Sequence, residues 1–320
     1  MKKYYILPLF IFFLTISFSQ KKKNASEELK SSELTGLKFR SVGPAFMSGR
    51  IADIAINPNN ENEWYVAVGS GGVWKTVNSG TTWNPIADDQ PFYSTGCITI
   101  DPHNSSKIWL GTGENVGGRH VGIGHGIYVS ENGGKNWKSM GLKNSEHISK
   151  IIVSPKDPNT VFVASQGPLW SPGGERGLYR TDNGGKTWKN VLSVNKWTGV
   201  TDIAIDHNNP NILYAATWQR HRNVASYMGG GPGTSIYKST DHGISWTEIK
   251  NGLPGSNLGK IGLAISPFDS TILYAAVETD RRNGAVYKTT NSGGNWKKIT
   301  TSEKSAPFNK AFSMTSSASS

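Results

Sequence analysis

The chain has a single cysteine, Cys97, in 320 residues. One cysteine excludes an internal disulfide, so the fold rests on its core alone. Cys97 lies in the apolar run Gly96-Cys97-Ile98-Thr99-Ile100. That setting reads as a small buried core residue, and no histidine is identifiable as the partner a catalytic thiol needs. Charged residues are also sparse, at 18%. Acidic residues number 23 against 34 basic ones, for a formal charge of +11. The basic residues are scattered, many just after tryptophans (Lys138, Lys189, Lys297, Lys298). This looks like a solvated outer strand, not a nucleic-acid stripe, and no nucleic-acid partner is expected. Attraction to acidic envelope polymers would be weak and salt-sensitive. Long amphipathic helical patterns are missing as well.

No apolar run is comfortably long enough to span a bilayer. The nearest is Ile6 to Phe18, preceded by Lys2 and Lys3 and followed by the small residues around Ser17-Phe18-Ser19. That order predicts a signal peptide over residues 1–19 and a secreted or periplasmic mature protein with no membrane span. An uncleaved anchor is the alternative. Residues 20–37 lack apolar periodicity and read as a polar linker.

What the chain has in quantity is Gly (37) and Trp (11). Thr181-Asp182-Asn183-Gly184-Gly185-Lys186-Thr187-Trp188 repeats as a pattern at Thr76–Trp83, Ser130–Trp137, Ser239–Trp246 and Thr289–Trp296. Self-similarity at such a period decides the fold before any local reading. Between the boxes run short β-prone segments closed by Pro, Gly, Asn and Asp, four to a repeat. The fold class is therefore all-β: a propeller of four-stranded blades over residues 38–300, five of them visible.

Each box sits between the third and fourth strands. The glycine supplies a positive φ, and the Asn or Asp before it accepts hydrogen bonds from turn amides. The tryptophan buries a ring at the junction between blades. The pairs are Asn78 and Trp83, Asn132 and Trp137, Asn183 and Trp188, Asp241 and Trp246, Asn291 and Trp296. A box could hold calcium or a ligand, but recurrence in every blade points to a structural turn.

These boxes resemble Asp-box (BNR) repeats. The chain is similar to the xyloglucanase-like and sortilin-like propellers, including long secreted bacterial proteins of loosely glycosyl-hydrolase type. The box also occurs in sialidases, glucanases and sorting receptors, so it names no activity. Members of this group carry more blades, often in two propellers. The tail, residues 301–320, carries no blade pattern, which suggests either a truncated product or a complete five-bladed propeller with a disordered end. Remaining blades or an envelope protein are then candidate partners.

Loops after the second strand share one propeller face, away from the boxes. Here they are long, and long loops tend to carry function. They and the inter-blade loops place Arg119, His120, Trp170, Arg176, Trp197, Trp218, Arg220, His221 and Arg281 on that face. Aromatic rings stack on sugars or apolar side chains, and arginines clamp carboxylates. The expected ligand is a polysaccharide or an extended peptide, with glycoside hydrolysis as the alternative reading.

A glycosidase needs two flanking carboxylates, about 5–5.5 Å apart for retention or about 6.5–9.5 Å for inversion. The xyloglucanase resemblance implies a catalytic Asp just before Gly71-Gly72-Val73-Trp74-Lys75, where this chain has Gly69. Its second catalytic Asp belongs to a second propeller. Glu114 and Glu278 are the carboxylates best placed toward the channel mouth and the candidate catalytic pair. His120, His125, His147 and His221 show no spacing that converges on a metal, so neither metal nor cofactor is expected.

Overall fold

The computed structural model describes residues 49–255, 258–279 and 284–300. The signal segment, the polar linker, the tail and the candidate ligand residue Arg281 lie outside the described residues. The described chain is five four-stranded antiparallel sheets, each built from consecutive sequence. Blade 1 is β1 (Ile51–Ile56), β2 (Trp64–Val68), β3 (Gly72–Thr76) and β4 (Asn84–Pro85). Blade 2 is β5 (Thr95–Asp101), β6 (Asn104–Thr112), β7 (Ile127–Ser130) and β8 (Lys138–Ser139). Blade 3 is β9 (Ile148–Val153), β10 (Val161–Ser165), β11 (Gly177–Thr181) and β12 (Lys189–Leu192). Blade 4 is β13 (Thr198–Ile205), β14 (Leu213–Gln219), β17 (Ile236–Ser239) and β18 (Thr247–Glu248). Its β14–β17 loop carries a small hairpin, β15 (His221–Arg222) and β16 (Tyr227–Met228). Blade 5 is β19 (Ile261–Ile265), β20 (Leu273–Val277), β21 (Ala285–Thr289) and β22 (Lys297–Lys298).

The core lies between blades. Tyr65, Ala67 and Val73 of blade 1 pack on Ile98 and Ile100 of blade 2. Trp109, Ile127 and Val129 take Ile151 and Val153 of blade 3. Phe162, Ala164 and Leu178 take Ile203 and Ile205 of blade 4. Blades 2 to 4 therefore meet the previous blade on one face and the next on the other, which is why their second strands read as near-continuous apolar runs.

The box turns use up their own polar atoms. In blade 3 the Gly185 amide donates to Thr181 Oγ1 at 3.0 Å, and the Thr187 amide to Asn183 Oδ1 at 3.0 Å. The same two bonds recur in the other four boxes. Gly185 sits at φ +86°, where a side chain would strain the backbone. Trp137, Trp188 and Trp296 donate Nε1 to the carbonyls of Ile86, Met140 and Ile249, each in the preceding blade. The tryptophans tie neighbouring blades together by hydrogen bond as well as by burial.

The second strand of blade 4 is longer than its apolar run. It runs two residues past Thr217, because β13 begins early and pairs Gly199 with Trp218 and Thr198 with Gln219. Trp218 is thereby drawn into the sheet and buried, with its indole donating to the Gly229 carbonyl at 2.7 Å.

A buried arch and an aromatic cluster on the loop face

Glu114 follows β6 and points back toward blade 1. Its Oε1 accepts from Arg50 Nη2 at 2.6 Å and from Ser70 Oγ at 2.9 Å. Its Oε2 accepts from the Gly122 amide at 3.0 Å. Arg50 also donates through Nη1 to His120 Nε2 at 3.0 Å. The carboxylate is buried while Arg50 is 40% exposed, so a hidden acid holds an accessible guanidinium in place. Gly69 makes this possible: a Cβ there would lie 2.6 Å from Glu114 Oε1.

The next three residues of the same loop form an arch. The consecutive carbonyls of Asn115, Val116 and Gly117 accept from Lys260 Nζ at 2.7 Å, Arg220 Nη1 at 2.7 Å and Arg222 Nε at 2.9 Å. Blades 4 and 5 thus hold the blade 2 loop through three cations. Carbonyl oxygens are partial charges only, and the burial cost shows in the ionisation of the donors. Burial pushes Arg220 down to about 9, with Arg176 adding repulsion. Burial and then Arg220 push Lys260 down to about 8. The Trp218 ring lies under both, 5.2 Å from Arg220 and 5.5 Å from Lys260, and its π-face offsets part of that cost.

Arg176 is likewise turned inward. It donates to the carbonyls of Gln166, Gly173, Trp197, Pro168 and Ser171, fixing the blade 3 loop. His147 is fully buried beside these arginines, and burial first, then Arg220, holds its pKa well below the usual imidazole value. The two sequence-selected arginines 176 and 220 are therefore buried loop clamps. Trp218 lies under Arg220 and Lys260.

The exposed part of the set lies around β15. Trp197 and His221, both half-buried, pack against each other with centroids 4.1 Å apart and ring planes tilted by 50°. The Leu169 carbonyl accepts from the Arg222 amide at 3.0 Å, which brings the neighbouring Trp170, itself exposed, to the same hairpin. Tyr227 and Met228 on β16 are exposed too, with Arg222 over the Tyr227 ring at 4.5 Å. Arg119 is exposed on the blade 2 loop.

Glu278 lies at the start of the blade 5 loop. Its Oε2 accepts from the Lys260 amide at 3.1 Å, and burial raises its pKa. Among the described residues no group of three or more His, Cys, Asp or Glu is placed to hold a metal ion. Arg50 escaped the sequence reading. The available signal was its position: Arg50 and Lys260 each immediately precede an inner strand.

No protein-family model matches the chain. In sequence it is similar to a xyloglucanase of Hypocrea jecorina, 27% identical over 246 residues, covering 67% of this chain and 27% of the relative. It is similar to the xyloglucanase Xgh74A of Acetivibrio thermocellus at 26% over 253 residues, covering 68% of this chain and 27% of the relative. A photosystem II stability/assembly factor of Arabidopsis thaliana, HCF136, is 28% identical over 172 residues, 52% of this chain and 36% of its own. Among solved structures, the GH74 xyloglucanase from Xanthomonas campestris superimposes with a TM-score of 0.61 at 17% identity, covering 82% of this chain and 40% of that one. The chain spans about a quarter of the length of the xyloglucanases it matches. Blade architecture and these likenesses together make it an all-β chain of propeller blades with xyloglucanase-like sequence relatives.

Proposed function

We propose that this chain is the substrate-holding part of a xyloglucanase-like glycoside hydrolase, exported from the cytoplasm and catalytically incomplete by itself. The observation that carries the reading is the exposed Trp170, tied through the Leu169 carbonyl to the hairpin whose His221 packs on the half-buried Trp197. Flat rings there offer apolar faces to pyranose rings, as a β-glucan site requires. The relatives named xyloglucanases supply the substrate class, a xyloglucan-type polysaccharide.

The carboxylates support the incomplete half of the statement. A general acid must present its O–H to the leaving oxygen. Glu114 has both oxygens occupied by Arg50, Ser70 and the Gly122 amide, and it is buried beneath them. Its part is to orient Arg50. Glu278, whose pKa is raised by burial, is the better candidate proton donor. A second carboxylate then comes from outside the described blades.

The test is binding and hydrolysis of xyloglucan by the purified chain, alongside Glu278→Gln, Glu114→Gln and Trp170→Ala. Binding without turnover, weakened in Trp170→Ala, is the expected result. Robust hydrolysis abolished by Glu278→Gln would overturn the incompleteness. Absence of binding to xyloglucan and other β-glucans would overturn the polysaccharide reading.

A further inference from the structure

The inward-turned cations of the loop face are held without carboxylates. Arg220 is 0% exposed, Arg176 is 4% exposed, and Lys260 is half-buried. Among the described residues none of the three forms an ion pair. Glu146 attracts Arg176 and Arg220, and Glu278 attracts Lys260, only from beyond ion-pair distance. Main-chain carbonyls supply hydrogen bonds but no formal charge. Buried charges in folded proteins are as a rule met by opposite ones, so this site carries an unbalanced positive charge.

The three cations meet around Gln166 and Gly167. The Gln166 amide donates to the His147 carbonyl at 2.9 Å, which seats His147 beside them. Arg176 Nη1 donates to the Gln166 carbonyl at 2.7 Å, and Arg220 Nη2 to the Gly167 carbonyl at 3.1 Å. Gln166 Nε2 and Lys260 Nζ share the Asn115 carbonyl, at 3.5 Å and 2.7 Å.

Buried polar atoms without partners gather at the same place. Arg220 spends Nη1 on the Val116 carbonyl and Nη2 on Gly167, but its Nε has no partner. Both ring nitrogens of His147 are unpartnered, with Glu146 Oε2 3.9 Å from Nε2. The Glu114 carbonyl also lies near the ring. Burial, then Arg220, keeps the imidazole neutral, and a neutral imidazole still has one N–H to give. Ser145 Oγ and Gln166 Oε1 complete the group. Elsewhere among the described residues only Trp109 Nε1, Ser235 Oγ and Trp246 Nε1 are buried without a partner. A cluster of such atoms in a native fold marks a bound water or ion.

We propose that a small inorganic anion of the halide class binds between Arg220 Nε and His147. The N–H groups of both residues hold it, and the charges of Arg176 and Lys260 add to the attraction. A water molecule would satisfy the N–H groups but leave the positive charge unbalanced. Arg220 and His147 are both 0% exposed, which selects an ion without substituents over a phosphate ester or a carboxylate on a larger molecule. Arg220 directly precedes β15, so an anion on its guanidinium anchors the strand that carries His221. The inference does not rest on the polysaccharide reading.

The test is urea unfolding of the 320-residue chain as sodium gluconate is replaced by sodium bromide. The ionic strength stays at about 0.2 M, which holds screening fixed. An ion that binds only the folded chain raises the folded-to-unfolded ratio by the factor 1 + [bromide]/Kd. The wild-type midpoint should therefore climb with bromide. Arg220→Met, which deletes the Nε donor at similar length, should lose the climb. Lys186→Met, on an exposed box turn, should keep it. Bromide anomalous scattering from wild-type crystals should place an ion at Arg220 Nε, a readout that needs no variant to fold. A wild-type midpoint indifferent to bromide overturns the proposal. So does a climb that Arg220→Met retains, or a crystal without bromide at Arg220 and His147.

Discussion

Glu114 occupies the space that a side chain at Gly69 would need, its Oε1 standing 2.6 Å from the position of a Cβ there. The two positions are mutually exclusive, and the chain has chosen the longer acid from the neighbouring blade. Gly69→Ala should therefore displace the Glu114 carboxylate from Arg50, Ser70 and the Gly122 amide. Losing charge-assisted bonds at a buried carboxylate costs about 1.5–3 kcal/mol. In a Glu114→Ala background the same Gly69→Ala change should cost far less. Denaturant unfolding of the four proteins in this cycle measures the coupling, and additive effects would refute the shared space.

The arch gives a pH prediction with a definite sign. Lys260 is lowered to about 8 by burial and by Arg220, while an unfolded lysine titrates near about 10.4. Between those values the unfolded chain binds more protons, so stability rises with pH across that window. Below about pH 8 the full cost of the buried charge is present. Lys260→Met removes this titration, and with it the bond to the Asn115 carbonyl. The difference between wild type and variant in urea midpoint should widen in favour of wild type from pH 8 to pH 10. A constant difference would place the Lys260 charge in solvent.

Much of the fold was legible because it is written five times. The box from Thr181 to Trp188 fixes a turn, and its recurrence fixes the blades. Burial was not legible at the loop face. Arg176, Arg220 and Trp218 have the residue types of a binding surface, yet loop carbonyls draw the arginines inward and an extended β14 draws the tryptophan with them. A carbonyl acceptor has no side-chain signature, so a sequence cannot distinguish an arginine that meets a ligand from one that clamps a loop. Arg50 was hidden for the converse reason: its partner Glu114 lies 64 residues away.

Asp241 is the one acid among the five equivalent box positions, the others being Asn78, Asn132, Asn183 and Asn291. The Ser245 hydroxyl and amide, with Ser239, hold its carboxyl well below the usual range. A depressed folded pKa contributes stability above the unfolded value, near about 3.9, and that contribution is lost as pH falls toward the folded value. Asp241→Asn keeps the turn geometry of the other boxes but does not titrate. Wild type should therefore exceed the variant in thermal midpoint at pH 7 and approach it below about pH 3. Parallel melting curves across that range would remove the carboxylate from the account.

The tilted Trp197–His221 pair tests whether the aromatic cluster binds ligand or only supports the loop. The two rings lie 4.1 Å apart, and His221 belongs to β15, whose Arg222 is anchored independently by the Gly117 and Leu169 carbonyls. Replacing His221 by Ala should leave the hairpin in place and remove one ring from the platform. An aromatic contact of this kind is worth about 0.5–1.5 kcal/mol, or up to about tenfold in affinity. Xyloglucan binding by His221→Ala should weaken by that factor, and His221→Phe should restore it, since an aromatic ring against Trp197 is what the platform requires. Trp197→Ala should lose at least as much. If His221→Phe binds no better than His221→Ala, the imidazole acts through its nitrogens rather than as a ring, and the aromatic-platform account is wrong.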